Sequence, residues 1–169
     1  KYKEVQRITK PGSKRMAFNH DNFFSSSDCV IEIPRGALYK NIDFTHTTRP
    51  TTTAYYSDFQ LIGDKRVPLQ LPAKLRIKPR NLRSDLYSKV VVVNVDADNG
   101  APATVGGEYR NSWVETEVRT LGTFAVMVDT LAPSITPLSV ENNALTESGL
   151  IRFTIRDNLS GIDKIVGLL

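Results

Sequence analysis

The sequence predicts an all-β protein built around a β-sandwich. Three observations carry this. Val, Ile and Thr supply roughly a quarter of the 169 residues and cluster in short runs. Turn residues separate those runs at short spacing. No segment sustains a helical period. The 40 % apolar and 24 % charged fractions are those of a globular chain.

The elements follow in order. Strands are expected at Glu4–Ile8, Cys29–Ile33, Ile42–Thr45 and Tyr55–Leu61. Pro68–Leu71, Lys74–Lys78 and Lys89–Val95 come next, then Thr104–Tyr109, Trp113–Val118 and Gly122–Val128. The last region adds Ser134–Leu138, Leu150–Arg156 and a start at Lys164–Val166. Asn99-Gly100 and Gly106-Gly107 are hairpin or bulge signals, and Asn111-Ser112 separates two strands. Asn81–Ser88 suits one helical turn, and the Thr-rich stretch Thr45–Thr53 around Pro50 reads as a loop.

A boundary falls near Asp129–Pro133, where an apolar strand runs into a proline. Residues 1–130 hold about ten strands, against the roughly seven of an immunoglobulin-like sandwich. Residues 131–169 hold too few for a complete one and are expected to be an incomplete immunoglobulin-like segment. An orphaned apolar face there is expected to drive weak self-association. The start, Lys1-Tyr2-Lys3-Glu4, is neither an initiator Met nor a signal peptide, so the chain reads as an excised or mature fragment. No run approaches the roughly 18 apolar residues of a membrane span.

Chemistry-bearing residues are few. Lys+Arg 22 against Asp+Glu 18 gives +4, without the dense basic stripe of a nucleic-acid binder. Cys29 has no internal disulfide partner and lies in an apolar run, which reads as a buried, inert thiol. Its solitary state suits the cytosol and a bacterial envelope alike. His20 and His46 are too few for a zinc site of three protein ligands, and neither H-E-x-x-H nor G-x-S-x-G occurs. Asp96–Gly100 resembles a calcium loop, but the sixth and twelfth positions are Ala101 and Gly107, so it reads as a polar hairpin turn. Asp157–Asp163 reads as an Asx-type turn with Gly161 at positive φ and Ile162 returning to the core, and calcium near Asp157 stays open. No catalytic, metal or cofactor residue is expected in the chain.

One charge pattern stands out. Lys74, Arg76, Lys78 and Arg80 alternate with Leu75 and Ile77, which places four cations on one strand face. That face is a candidate binding surface for an acidic polymer. Its bland alternative is a solvated face that discourages edge pairing. Aromatic interleaving is missing from the stripe, and Tyr55-Tyr56 should send one ring inward and one outward.

Several segments together resemble a known family. Ile31-Glu32-Ile33-Pro34-Arg35-Gly36-Ala37-Leu38-Tyr39 with Ile42-Asp43-Phe44, Val67-Pro68-Leu69, Gly106-Gly107-Glu108-Tyr109 and Leu121-Gly122-Thr123-Phe124 occur in a specific order. That order resembles the non-catalytic β-sandwich following the lysostaphin-type (LytM-like) zinc endopeptidase domain of Gram-negative envelope proteins. The final piece, Ile151–Ile162, is similar to the opening strands of the immunoglobulin-like module that closes those proteins. The resemblance implies an exported, non-catalytic accessory module of a peptidoglycan metallopeptidase, positioning or targeting its catalytic domain. The implied partners are that upstream domain or an envelope protein or glycan, with zinc ligands outside these residues. Ile33-Pro34 and Gly36-Ala37-Leu38 are also similar to the β-sandwich of ankyrins and netrin receptors. Two further readings therefore stay open: an adhesion or acidic-polymer-binding sandwich, and an intracellular scaffold domain.

Overall fold

Antiparallel strands account for nearly all the regular structure, as the composition requires. The structure is a computed structural model that describes residues 12–96, 101–138, 150–162 and 164–166. The chain divides into two compact units, Lys1–Val128 and Asp129–Leu169.

The first unit contains β1 (Lys14–Met16), β2 (Asn22–Ser25), β3 (Cys29–Ile33), β4 (Ile42–Phe44), β5 (His46–Arg49) and β6 (Phe59–Ile62). It continues with β7 (Pro68–Ile77), β8 (Val90–Asn94), β9 (Ala103–Thr104), β10 (Glu108–Arg110), β11 (Trp113–Thr120) and β12 (Gly122–Val128). One five-stranded sheet has the order β10-β11-β7-β3-β2, and a second has the order β5-β6-β12-β8-β9. A small β1-β4 ribbon adds Met16 and Phe44 to the core.

Period-two alternation explains which residues fill the sandwich. Ile31 and Ile33 of β3, Leu75 and Ile77 of β7, and Val114 and Val118 of β11 enter from the first sheet. Phe124 and Val126 of β12, Val92 of β8 and Ile62 of β6 meet them from the second. β8 is a Val run because Val91 and Val93 are buried as well, so the strand is covered on both faces.

The segment after β3 supplies an anchor. Gly36 takes φ 81°, a conformation that glycine adopts without the Cβ penalty. Its N–H donates to the Phe18 carbonyl at 2.9 Å, and Ala37 N–H donates to the Pro34 carbonyl at 3.0 Å. Ala37 and Leu38 then enter the core, both essentially inaccessible. The segment is a folding motif.

Several expectations change. The predicted strand Thr104–Tyr109 is two strands, β9 and β10, in different sheets. Gly106 (φ 82°) and Gly107 (φ 154°) carry the chain between them. There Val92 N–H donates to the Gly106 carbonyl at 2.7 Å. The predicted strands Pro68–Leu71 and Lys74–Lys78 are one strand, β7. Its register with β11 shifts between Val118 and Thr120, which accommodates Pro72 and leaves Leu71 exposed.

Thr45–Thr53 is not wholly a loop, since His46–Arg49 forms the edge strand β5. The strand expected from Tyr55 begins only at Phe59. Ahead of it, the buried Ser57 hydroxyl accepts the Val126 N–H at 2.9 Å, so a side chain replaces a backbone rung. Tyr56 packs on the core, and Tyr55 meets Phe59 edge-on at 4.9 Å. The helical turn is a short 3-10 helix, Ser84–Lys89. The expected strand Glu4–Ile8 and the turn at Asn99-Gly100 lie outside the described residues.

The second unit contains β13 (Ser134–Pro137) paired with β14 (Phe153–Arg156). β14 starts later than the sequence suggests, and Lys164–Val166 forms no strand. Cross-strand pairs Ile135–Ile155 and Pro137–Phe153 share one face, Ser134–Arg156 and Thr136–Thr154 the other. Asp157 Oδ2 accepts the N–H of Leu159 at 3.1 Å and of Gly161 at 2.6 Å, and Gly161 has φ 85°. Ile162 does not return to a core: it is 40 % exposed. Asp129 fastens the same turn, its carboxylate accepting N–H groups from Leu131 (3.1 Å) and Ser160 (2.8 Å). Hydrogen bonds from Ser160 hold the Asp129 carboxyl below its ordinary pKa.

Candidate docking face

The four predicted cations do not act as one stripe. Lys74 and Arg76 lie on the outward face of β7, opposite the buried Leu75 and Ile77, as alternation requires. Lys78 and Arg80 follow the end of β7. Lys78 N–H donates to the Asp28 carbonyl at 2.9 Å. Arg80 turns toward the segment ahead of β6, where its guanidinium meets both oxygens of Asp58 (2.8 and 3.0 Å) and the Thr51 hydroxyl (3.3 Å).

Strand register brings carboxylates to the remaining pair. Lys74 is opposite Glu117 of β11 on one side and Glu32 of β3 on the other. Arg76 is opposite Glu115, and its guanidinium pairs with Glu32 at 3.1 Å. At the β10 edge, Arg110 pairs with Glu108 at 2.7 Å, and this hydrogen bond holds the Glu108 carboxyl below its usual range. The face is a lattice of alternating charge. Lys74 and Arg76 are thus interleaved with Glu32, Glu115 and Glu117 rather than gathered into a patch of one sign.

Two open grooves of about 380 and 330 Å³ cross this face and share Glu32, Lys74 and Glu117. The first extends toward Glu108 and Arg110. The second extends toward Phe23, Pro34 and Pro72. Phe23 is half exposed, an apolar end to a charged trough. Sequence reading missed the acidic partners because they come from strands far apart in the chain. The period-two spacing of Glu115 and Glu117 was a local signal that they share a face.

The other reactive side chains have structural roles. Cys29 is fully buried, and desolvation pushes its thiol up to about 12. His46 Nε2 hydrogen-bonds Gln60 Oε1 at 2.8 Å while its ring lies 4.8 Å from Phe24. His20 Nδ1 hydrogen-bonds Asn19 Oδ1 at 2.8 Å. Asp96 Oδ2 accepts the Thr123 N–H at 2.7 Å and so ties the end of β8 to β12. Among the described residues, no three His, Cys, Asp or Glu side chains converge as a metal site, and no helix is long and apolar enough to cross a membrane.

The family model of the Zu5-like domain matches residues 13–129, the span of both five-stranded sheets. The chain belongs to the Zu5-like domain family. A search of curated proteins returns no match. The Zu5-like match takes in β1 and every strand through β12, so the docking face and the Gly36–Leu38 anchor both lie inside it.

Proposed function

We propose that this Zu5-like chain is a non-catalytic accessory module of a bacterial cell-envelope peptidoglycan metallopeptidase, positioning or targeting the catalytic domain of the same protein. The supporting observation is the division of labour among its polar side chains. Cys29, His46 and Asp96 serve the core and its ladders, while a broad open face of the first sheet stays accessible. Such a face suits contact with a neighbouring macromolecule better than enclosure of a small substrate. The ordered sequence motifs favour an exported protein whose zinc ligands belong to another domain.

A digestion assay tests this. Purified chain is incubated with peptidoglycan and zinc, with and without a chelator. No release of soluble fragments is expected in either arm. Chelator-sensitive release would overturn the non-catalytic reading.

A further inference from the structure

We infer that the trough across the outer face of the first sheet docks an extended, cationic polypeptide segment with an apolar residue at one end. Its charge sets the sign. Glu32, Glu108, Glu115, Glu117 and Asp21 line the two grooves, against Lys74, Arg76 and Arg110. Five carboxylates against three cations leave −2, within a chain of net +4. Arg76 and Arg110 are engaged by Glu32 and Glu108. Among the described residues, the side chains of Glu115 and Glu117 make no hydrogen bond or ion pair, although Arg110 lies within electrostatic reach of Glu115. Facing Lys74, Arg76 and Arg110 without a direct side-chain bond to them, they are the carboxylates placed to receive a partner's ammonium or guanidinium groups.

The dimensions fit an extended chain. The trough crosses five strands, or four spacings of about 4.8 Å, a span of about 19 Å. That accommodates about six extended residues at ~3.3 Å each. Its far end offers the half-exposed Phe23 ring beside Pro34 and Pro72. An apolar partner residue there would cover surface that the fold leaves in water. The occupant's chemistry is thus opposite to the acidic partner that Lys74–Arg80 alone suggests.

This inference rests on the docking-module reading and deepens it by naming the partner's chemistry. The test uses two peptides, acetyl-Leu-Pro-Lys-Ser-Lys-Ser-amide and its counterpart with Glu in place of Lys. Binding to the whole chain is followed by the fluorescence of its one tryptophan, Trp113, which lies two residues from Glu115 on β11. The Lys peptide should bind saturably and the Glu peptide should bind at least tenfold more weakly. Raising salt from 20 to about 500 mM, which shortens the screening length several-fold, should weaken the Lys peptide at least tenfold.

The double variant Glu115→Gln/Glu117→Gln should lose about tenfold in affinity, and Phe23→Ala should lose severalfold. Lys78→Gln, beyond the end of β7, should bind as the parent does. Thermal midpoints within a few degrees of the parent establish that the variants are folded. Equal binding of the two peptides, no saturable binding, or indifference to the Gln pair overturns the inference. Such a result leaves the digestion assay, and with it the non-catalytic reading, untouched.

Discussion

Gly36 and Gly107 separate two reasons for requiring glycine. At Gly36, φ is 81° and an added Cβ would meet nothing within 4 Å. Gly36→Ala therefore costs the left-handed conformation alone, about 1–2 kcal/mol. At Gly107, φ is 154° and an added Cβ would lie 2.9 Å from Val92 N and 3.1 Å from Val91 Cα. Both are backbone atoms of a strand covered on both faces, so neither can move aside cheaply.

Gly107→Ala adds overpacking, about 1–3 kcal/mol, to backbone strain of about 1–3 kcal/mol, a total near 4 kcal/mol. For a chain of this size that corresponds to about 8–16 °C in Tm, against about 2–8 °C for Gly36→Ala. Thermal unfolding followed by Trp113 emission reads the sandwich, because Trp113 lies in the first unit. If Gly107→Ala proves no more destabilising than Gly36→Ala, the assignment of Gly107 to a close backbone approach is wrong.

Three further outcomes are expected. Ser57→Ala should destabilise the sandwich by about 1–3 kcal/mol in urea unfolding, because the buried Val126 N–H loses its acceptor; a change below ~0.5 kcal/mol would show that the hydroxyl is dispensable. Cys29 should resist a thiol reagent at pH 8 in the native protein and react within minutes in urea, since its thiol stays protonated until about 12; prompt native labelling would contradict its burial. The Asp129 carboxyl, lowered on folding, stabilises the turn above its unfolded pKa of about 3.9, and that contribution disappears as pH falls through the lower folded value. An NMR titration of the Ser160 amide should therefore show a midpoint below about 3.9, absent in Asp129→Asn. A midpoint at or above that value would contradict the assignment.

Legibility in the sequence followed locality. β3 and β12 have their expected bounds because each is a compact apolar run. The Gly36–Leu38 anchor was equally readable, since turn glycine and apolar return are adjacent. β5 was not: His46–Arg49 is an exposed edge strand whose polar residues lack an apolar stripe, and Pro50 follows. β2 was missed because only Phe24 among its residues packs against the core. The outward direction of Lys74 and Arg76 followed from alternation. The acidic neighbours that decide the face's character did not, because only the pairing of β3, β7 and β11 brings Glu32, Glu115 and Glu117 together. Arg80 left the stripe for a similar reason, drawn off by Asp58 twenty-two positions earlier.

The crossing at Gly106 and Gly107 also has a mechanical consequence. β9 pairs within one sheet and β10 within the other, with three residues between them. Force that pulls the two sheets apart is therefore transmitted directly to the β8–β9 and β10–β11 ladders. The sandwich cannot open like a book along this side; it must first unzip one of those pairings. A tether this short couples separation of the two sheets on this side to the loss of one of those pairings.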